Sequence, residues 1–268
     1  MNSLYRVQET WLTRVNPSIK CILSVFLFFY MIFIHNPSHL AYLTIALSMI
    51  LYMYSGHPLR YLLLFSLPFV LVFVSSASSM IFFGRGDTIW FKWGLIQISE
   101  ESFYRGIHLG FRALAFAILG MIFALTTKPV LLFYSLMQQL KVPSKYAYSF
   151  LASIRMIPIM FDEFQTLRHA MIIRQAVPKK GLKGMYKKLQ FFSIPLLAQS
   201  IRRAQRIAVA MEAKRFTQSS ERTYFYETNV RLYDLLFLVV ILLAPLVTFY
   251  LADAVPLFDR TDVRYLTN

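Results

Sequence analysis

Five stretches of the chain stay apolar for long enough to cross a bilayer, which takes about 20 residues. They cover about 19–35, 39–55, 61–83, 107–127 and 232–252. Only His35-Asn36-Pro37-Ser38 separates the first two, a turn with no room for a domain. Arg60 marks the polar edge of the third, and Arg112 lies within the fourth, where it either snorkels or pairs with a neighbouring helix. The fifth opens near Asp234 and contains Pro245, which predicts a kink. Residues 1–18 mix polar and aromatic side chains without a small-residue cleavage site, so no signal peptide is expected there.

Between the fourth and fifth stretches the pattern changes. Residues 128–231 keep a helical apolar period, but breakers interrupt it. Pro129 opens a helix over 129–140, since proline suits a first helical turn. Lys141-Val142-Pro143-Ser144 ends it, and a further helix over 144–161 is predicted to bend at Pro158. From 157 to 176, Ile157, Met160, Phe161, Phe164, Leu167 and Met171 recur at helical spacing, with Asp162, Glu163, Gln165, Arg168 and His169 on the other face. Pro178-Lys179-Lys180-Gly181 stops that helix. A second amphipathic helix is predicted over 196–216. Leu197, Ile201, Ala204, Ala208 and Met211 form its apolar stripe, and Gln199, Arg202, Arg203 and Arg206 lie opposite. The pattern predicts an all-α polytopic membrane protein with about five transmembrane helices and cytoplasmic amphipathic helices. Its expected regions are 1–127 with four spans, 128–231, and 232–268.

Composition agrees with lipid solvation. Of 268 residues, 57% are hydrophobic and 15% charged, against about 25% charged in a soluble domain. The net charge of +15 is unevenly placed. Residues 128–231 hold eighteen Lys and Arg against five acids, a net of +13. Because cations concentrate on the inner side of membranes, 128–231 and the N-terminus are expected in the cytoplasm and the C-terminal tail outside. Nucleic-acid binding is excluded by the continuous apolar stripes of the basic segment and its position between spans.

Little in the sequence suggests catalysis. The lone Cys21 sits in an apolar run and allows neither an internal disulfide nor a cysteine metal cluster. The histidines are scattered, and His35 and His39 only flank a turn. Pro178 to Gly184 is a turn without phosphate-loop spacing, so the chain itself is not expected to hydrolyse ATP. The amphipathic helices have three possible uses: lying on lipid, packing as a bundle, or docking another protein. Asp162, Glu163 and Glu212 are poorly placed for an anionic surface. Both helices also end in cations, Arg174 and Lys214-Arg215, where the helix dipole favours positive charge. A guanidinium there suits a bidentate bond to a partner carboxylate.

These residues carry a resemblance. The run from Ile194-Pro195 through Ser200-Ile201-Arg202-Arg203-Ala204 to Met211-Glu212-Ala213-Lys214-Arg215-Phe216 resembles a coupling helix of energy-coupling-factor (ECF) transporter T components, the CbiQ/EcfT family, whose usual ending is Glu-Ala-Arg-Gly and an aromatic. Arg155-x-Ile157-Pro158 with Glu163, then Ala170 to Arg174-Gln175, resembles the stretch leading to the family's first Ala-Arg-Gly motif. Thr126-Thr127-x-Pro129, Val142-Pro143 and Asn16-Pro17-Ser18-x-Lys20 resemble other family signatures, the last usually beginning with aspartate. Here only Arg174 of the first motif survives, while Lys214 takes the arginine slot of the second and Arg215 the glycine slot.

The resemblance implies a transmembrane scaffold that couples two cytoplasmic ABC ATPase subunits to a small substrate-binding membrane subunit for vitamin or metal uptake. It implies ATPase contact through Arg174, Gln175, Glu212, Ala213, Lys214 and Arg215. Arg155, Pro158, Glu163, Arg202 and Arg203 would support the coupling helices. No cofactor is expected in this chain, since the partner subunits would bind ATP. Glu9-Thr10-Trp11-Leu12 with Val15-Asn16-Pro17 is similar to members associated with thiamine or its hydroxymethylpyrimidine precursor. The competing expectation is a membrane scaffold that docks acidic partners without ATP.

Overall fold

The computed structural model describes residues 8–84, 86, 88–93, 96–174, 181–216, 224, 226–258 and 262–263. The chain forms two compact units, Met1–Ser135 with Thr228–Asn268, and Leu136–Glu227.

The first unit is a helical membrane body. A short α1 (Trp11–Arg14) precedes α2 (Pro17–Phe33), α3 (Pro37–Tyr54), α4 (Leu59–Phe83), α5 (Glu100–Thr126) and α9 (Leu232–Ala254). The Asn-Pro-Ser triplet starts both α2 and α3. Asn16 accepts a hydrogen bond from the Ser18 amide, and Asn36 accepts from the Ser38 and His39 amides, while proline supplies the first helical φ. α5 packs against α2, α3 and α4, and α3 also packs against α9. Leu40, Leu43, Leu47 and Leu51 of α3 meet Ala115, Ile118, Leu119 and Ile122 of α5 and Phe237 and Ile241 of α9 in one core. Against α4, α5 presents Gly106 and Gly110. A Cβ on Gly106 would stand 2.6 Å from the Ile81 side chain and 2.8 Å from the Ala77 carbonyl oxygen, so only glycine permits that approach. Away from the core, Phe26, Phe29, Leu64, Leu71, Leu242 and Leu246 stay exposed, as a lipid-facing surface requires.

Three of the five expected spans, α4, α5 and α9, are long and apolar enough to cross a membrane. α2 has 17 residues and α3 has 18, a reach of about 26 Å at helical rise, against a hydrocarbon core of about 30 Å. α5 starts seven residues before the predicted 107, because Ser99 and Ser102 form a capping box and Glu100 and Glu101 fill its first turn. An antiparallel hairpin of β1 (Ile89–Trp93) and β2 (Ile96–Ser99) precedes it, within a segment expected only as a connection. Arg112 donates to the Ile34 carbonyl at 2.8 Å, and His108 bonds the same oxygen at 3.1 Å. The C-terminal carbonyl of α2 thus finds its partners on α5, and pairing, not snorkelling, accounts for this arginine. α9 runs on through Pro245.

The second unit is built on α7 (Ser144–Ile173) and α8 (Leu182–Ala213). α6 (Pro129–Gln139) ends near the predicted break and leads into the unit. α7 continues through Pro158 as one helix where two overlapping segments were expected. α8 begins fourteen residues before the predicted start and runs through Pro195.

Candidate coupling site

α7 and α8 lie antiparallel where they meet. Phe164 meets Phe192 at a tilt of 47° with centroids 4.8 Å apart, the Ser200 hydroxyl donates to the Met160 sulfur, and Tyr148 meets Phe216 edge-on at 5.4 Å. At the centre of this seam Arg203 donates to Glu163, an ion pair with 26% and 14% of the two side chains exposed. A guanidinium and a carboxylate at the seam need each other, since either alone would be a half-buried uncompensated charge.

The ion pair corrects two predicted faces. Glu163 was expected on the polar side of its helix but sits against α8, while Ile157 and Phe161 of the expected apolar stripe are exposed. On α8 the seam is formed by Phe192, Ser200 and Arg203, and half-buried Leu196, Ile207 and Met211 share their face. Leu197, Ile201, Ala204 and Ala208 of the predicted stripe face outward. Apolar counting placed the stripe on the richer face; the seam instead tolerates Arg203 because Glu163 receives it.

Each helix ends in exposed cations, at opposite ends of the seam. Arg174 is the C-cap of α7, its amide donating to the Ala170 carbonyl at 3.1 Å. Lys214 is the C-cap of α8, and Arg215 follows in the left-handed region at φ 52°. The Arg215 amide donates to Glu212 at 2.8 Å and the Phe216 amide to Met211 at 2.9 Å, which together form a Schellman ending. Glycine normally fills the slot that Arg215 occupies. Along the outward side of α8, Arg202, Gln205, Arg206, Val209, Ala210 and Ala213 line a shallow hollow of about 570 Å³ that leads to this end. Arg155 and Pro158 lie exposed on α7, outside the seam, and Gln175 lies outside the described residues.

A second polar centre escaped sequence reasoning. Within the membrane unit, the Asn16 amide donates to Asp234 at 2.5 Å, and the Asn16 side-chain oxygen accepts from the Ser135 hydroxyl at 2.6 Å. Ser18 donates its amide to Ser135 at 2.9 Å, and the two serine hydroxyls are bonded to each other. The second Asp234 oxygen accepts from the Arg231 amide at 2.7 Å. Nearby, the Lys20 ammonium donates to the Leu12 carbonyl at 2.7 Å and to the carbonyl and hydroxyl oxygens of Thr126, both at 3.1 Å. Lys20, Asp234, Asn16, Ser18 and Ser135 are all buried. This knot ties the start of α2 to the end of α5, to α6 and to the start of α9. Its local signal was the unusual pairing of Asn16-Pro17 with Lys20; apart from Leu12, the partners Thr126, Ser135 and Asp234 lie more than 100 residues away. Among the described residues no group of three or more metal-ligating side chains converges.

Comparison with known proteins places this architecture. A family model described as CbiQ, cobalt transport protein, matches residues 8–225. The chain is similar to proteins named energy-coupling factor transporter transmembrane protein EcfT. The relative from Macrococcus caseolyticus is 25% identical, covering 91% of this chain and 95% of that protein. Those from Ruminiclostridium cellulolyticum and Brevibacillus brevis are 28% and 26% identical, covering 84% and 80% of this chain and 86% and 84% of theirs.

Proposed function

Because the chain belongs to the CbiQ cobalt transport protein family, we propose that it is the coupling subunit of an ECF-type importer, passing motion from two cytoplasmic ABC ATPases to a small substrate-binding membrane subunit that takes up a vitamin or metal ion. The observation that carries this reading is the pair of exposed cationic helix ends at opposite ends of one antiparallel seam. Two ends facing apart suit two sockets, one on each ATPase. A stiff pair of long helices then works as a lever, since charged ends in bistable sockets move with the sockets. Arg174 would enter one socket. Arg215 would enter the other, beside Lys214, because its planar fork can hold a carboxylate in two bonds where the lysine offers a point charge. The N-terminus would lie in the cytoplasm with this unit.

Arg174→Glu combined with Arg215→Glu is expected to abolish co-purification of the ATPases while leaving membrane insertion intact. Full substrate uptake by the double variant would sink the assignment. A tagged wild-type chain that brings down acidic proteins but no nucleotide-binding subunit would favour the scaffold reading instead.

A further inference from the structure

The chain passes between its two units at two places, Ser135–Leu136 within α6 and Glu227–Thr228 ahead of α9. On both sides of that division the two connections are tied together. In the second unit, the Gln138 side chain donates to the Tyr226 carbonyl at 2.5 Å. In the membrane unit, both connections meet at Asn16. Its side-chain oxygen accepts from the Ser135 hydroxyl at 2.6 Å, and its amide donates at 2.5 Å to Asp234, in the first turn of α9.

Ser135 differs from other hydroxyls on the helices. Ser149, Ser153 and Thr166 each donate to the carbonyl four residues back in their own helix, the local bond that helical hydroxyls commonly make. Ser135 reaches across instead, to Asn16, to the Ser18 amide at 2.9 Å and to the Ser18 hydroxyl. It is fully buried, and Asn16, Ser18 and Asp234 are buried around it. Water cannot replace a bond broken there, so the cluster resists slip. Asn16 is itself held in place as the N-cap of α2, its side-chain oxygen accepting from the Ser18 amide at 3.1 Å. One turn further on, Lys20 binds the end of α5 through Thr126.

A displacement of the second unit is delivered to the membrane unit along these two connections. If they moved separately, part of it would be lost as sliding between α6 and α9. Bonded to one fixed residue, they move as one, and α2 and α5 move with them. We propose that Ser135, Asn16 and Asp234 form a clamp that stays closed through the transport cycle and passes the motion of the second unit to α2, α5 and α9. Ser135 is the positioning residue of this clamp, which rests on the coupling-subunit reading and adds where within the chain the motion is handed on. A cluster that only stabilised the fold would act alike in every nucleotide state, whereas a clamp sets how far a nucleotide-driven motion spreads.

The test uses the full chain assembled with its ATPases in lipid nanodiscs and compares hydrogen exchange with the non-hydrolysable ATP analogue AMP-PNP against exchange with ADP. In the wild type, a nucleotide-dependent difference is expected at residues 192–213 of α8 and also at residues 16–24 and 228–240 of the membrane unit. Ser135→Ala should keep ATPase association and the difference in α8, but reduce the difference in the membrane unit at least about threefold. A Ser18→Cys, Ser135→Cys pair in a Cys21→Ala background supplies a second variant. It should cross-link on oxidation in the chain alone, because the two hydroxyl oxygens are in direct contact. In the complex, the oxidised pair should transmit to the membrane unit as the wild type does, and the reduced pair less. Full transmission by Ser135→Ala, a cross-link that blocks transmission, or a pair that does not cross-link would each overturn the clamp while leaving ATPase association in place. A wild-type chain that binds no ATPase would instead sink the coupling function itself, and the clamp's role with it.

Discussion

Asn16, Lys20 and Asp234 in the membrane unit are sealed from solvent, and their polar atoms are bonded within that unit. Arg174, Lys214 and Arg215 in the second unit stand in solvent at helix ends. The same residue chemistry therefore serves two ends. Where the chain must hold distant segments together in a low dielectric, a buried polar group is strong because the alternative is an orphan. In the second unit those charges are left outside, and among the described residues Glu163 and Arg203 are the ion pair that joins the two helices. The second unit has helices longer than the seam that joins them.

The largest effect is expected inside the knot. Lys20→Met removes the donor to three oxygens and leaves Leu12 and Thr126 carbonyls unsatisfied. It also leaves Asp234, whose charge acts on Lys20, without that compensation. Breaking a buried charge arrangement by removing one member costs about 3–5 kcal/mol. Heating the purified protein in detergent and following the folded fraction by size exclusion should show a collapse in yield or midpoint. A variant as stable as wild type would mean that the knot contributes nothing to the unit's integrity.

Asn16 stands where the family signature that the chain resembles usually begins with aspartate. Its side-chain oxygen accepts two hydrogen bonds, a role a carboxylate would also fill, yet its amide already touches the Asp234 carboxylate. Asn16→Asp would bring a second negative charge to that buried place and is expected to destabilise by about 2 kcal/mol, the scale of a lost charged hydrogen-bond arrangement. Asp234→Asn in the same chain should restore most of the loss by returning the site to one carboxylate. Equal and additive losses in the single and double variants would show that the two groups do not sense each other.

A smaller effect is expected at the seam. In a double-mutant cycle, Glu163→Gln and Arg203→Gln should show a coupling of about 1 kcal/mol, more than a fully exposed pair but less than the sealed knot. The cycle would be read by hydrogen exchange across residues 155–170 and 192–210, which reports helix docking directly. Zero coupling would reduce the ion pair to a surface contact and remove the contrast between register-keeping and partner-facing charges.

Much of the helical framework was legible because it follows from local signals. The apolar runs and the Lys141–Ser144 break act within one or two turns, whereas the Asn-Pro starts of α2 and α3 place those helices two residues earlier than the apolar runs suggested. Failures came where tertiary structure decides. The face of α8 was misjudged because Leu197, Ile201, Ala204 and Ala208 outscore a stripe holding Ser200 and Arg203, and Glu163, which reverses that ranking, lies 40 residues away. The start of α8 was missed because Lys183-Gly184 looks like the end of a turn, glycine being a poor helix former. The Asn16–Asp234 bond spans 218 residues, and no pattern within a window could find it. The hairpin before α5 carries only two short strands, too brief for alternation to stand out. Arg174 and Lys214-Arg215 were expected at helix ends and stand there, but nothing local fixed the backbone conformation of Arg215.

That conformation supplies the finest test of the comparison. Arg215 takes a positive φ in a Schellman ending, where an L-residue costs about 1 kcal/mol relative to glycine. Strain of this kind persists when the side chain is needed for something other than folding. Arg215→Gly should therefore raise the stability of the α8 ending by about 1 kcal/mol, read as slower hydrogen exchange at the Arg215-adjacent amides of Phe216 and Lys214. It should weaken ATPase co-purification in the same preparation. Lys214→Ala should leave the ending's exchange nearly unchanged, because Lys214 contributes only its backbone to the cap, and should reduce co-purification less. If instead Arg215→Gly gains stability with full ATPase association and Lys214→Ala loses it, the lysine is the contacting charge. The arginine would then be a tolerated occupant of a glycine slot, and the second unit's exposed cations would no longer divide as proposed.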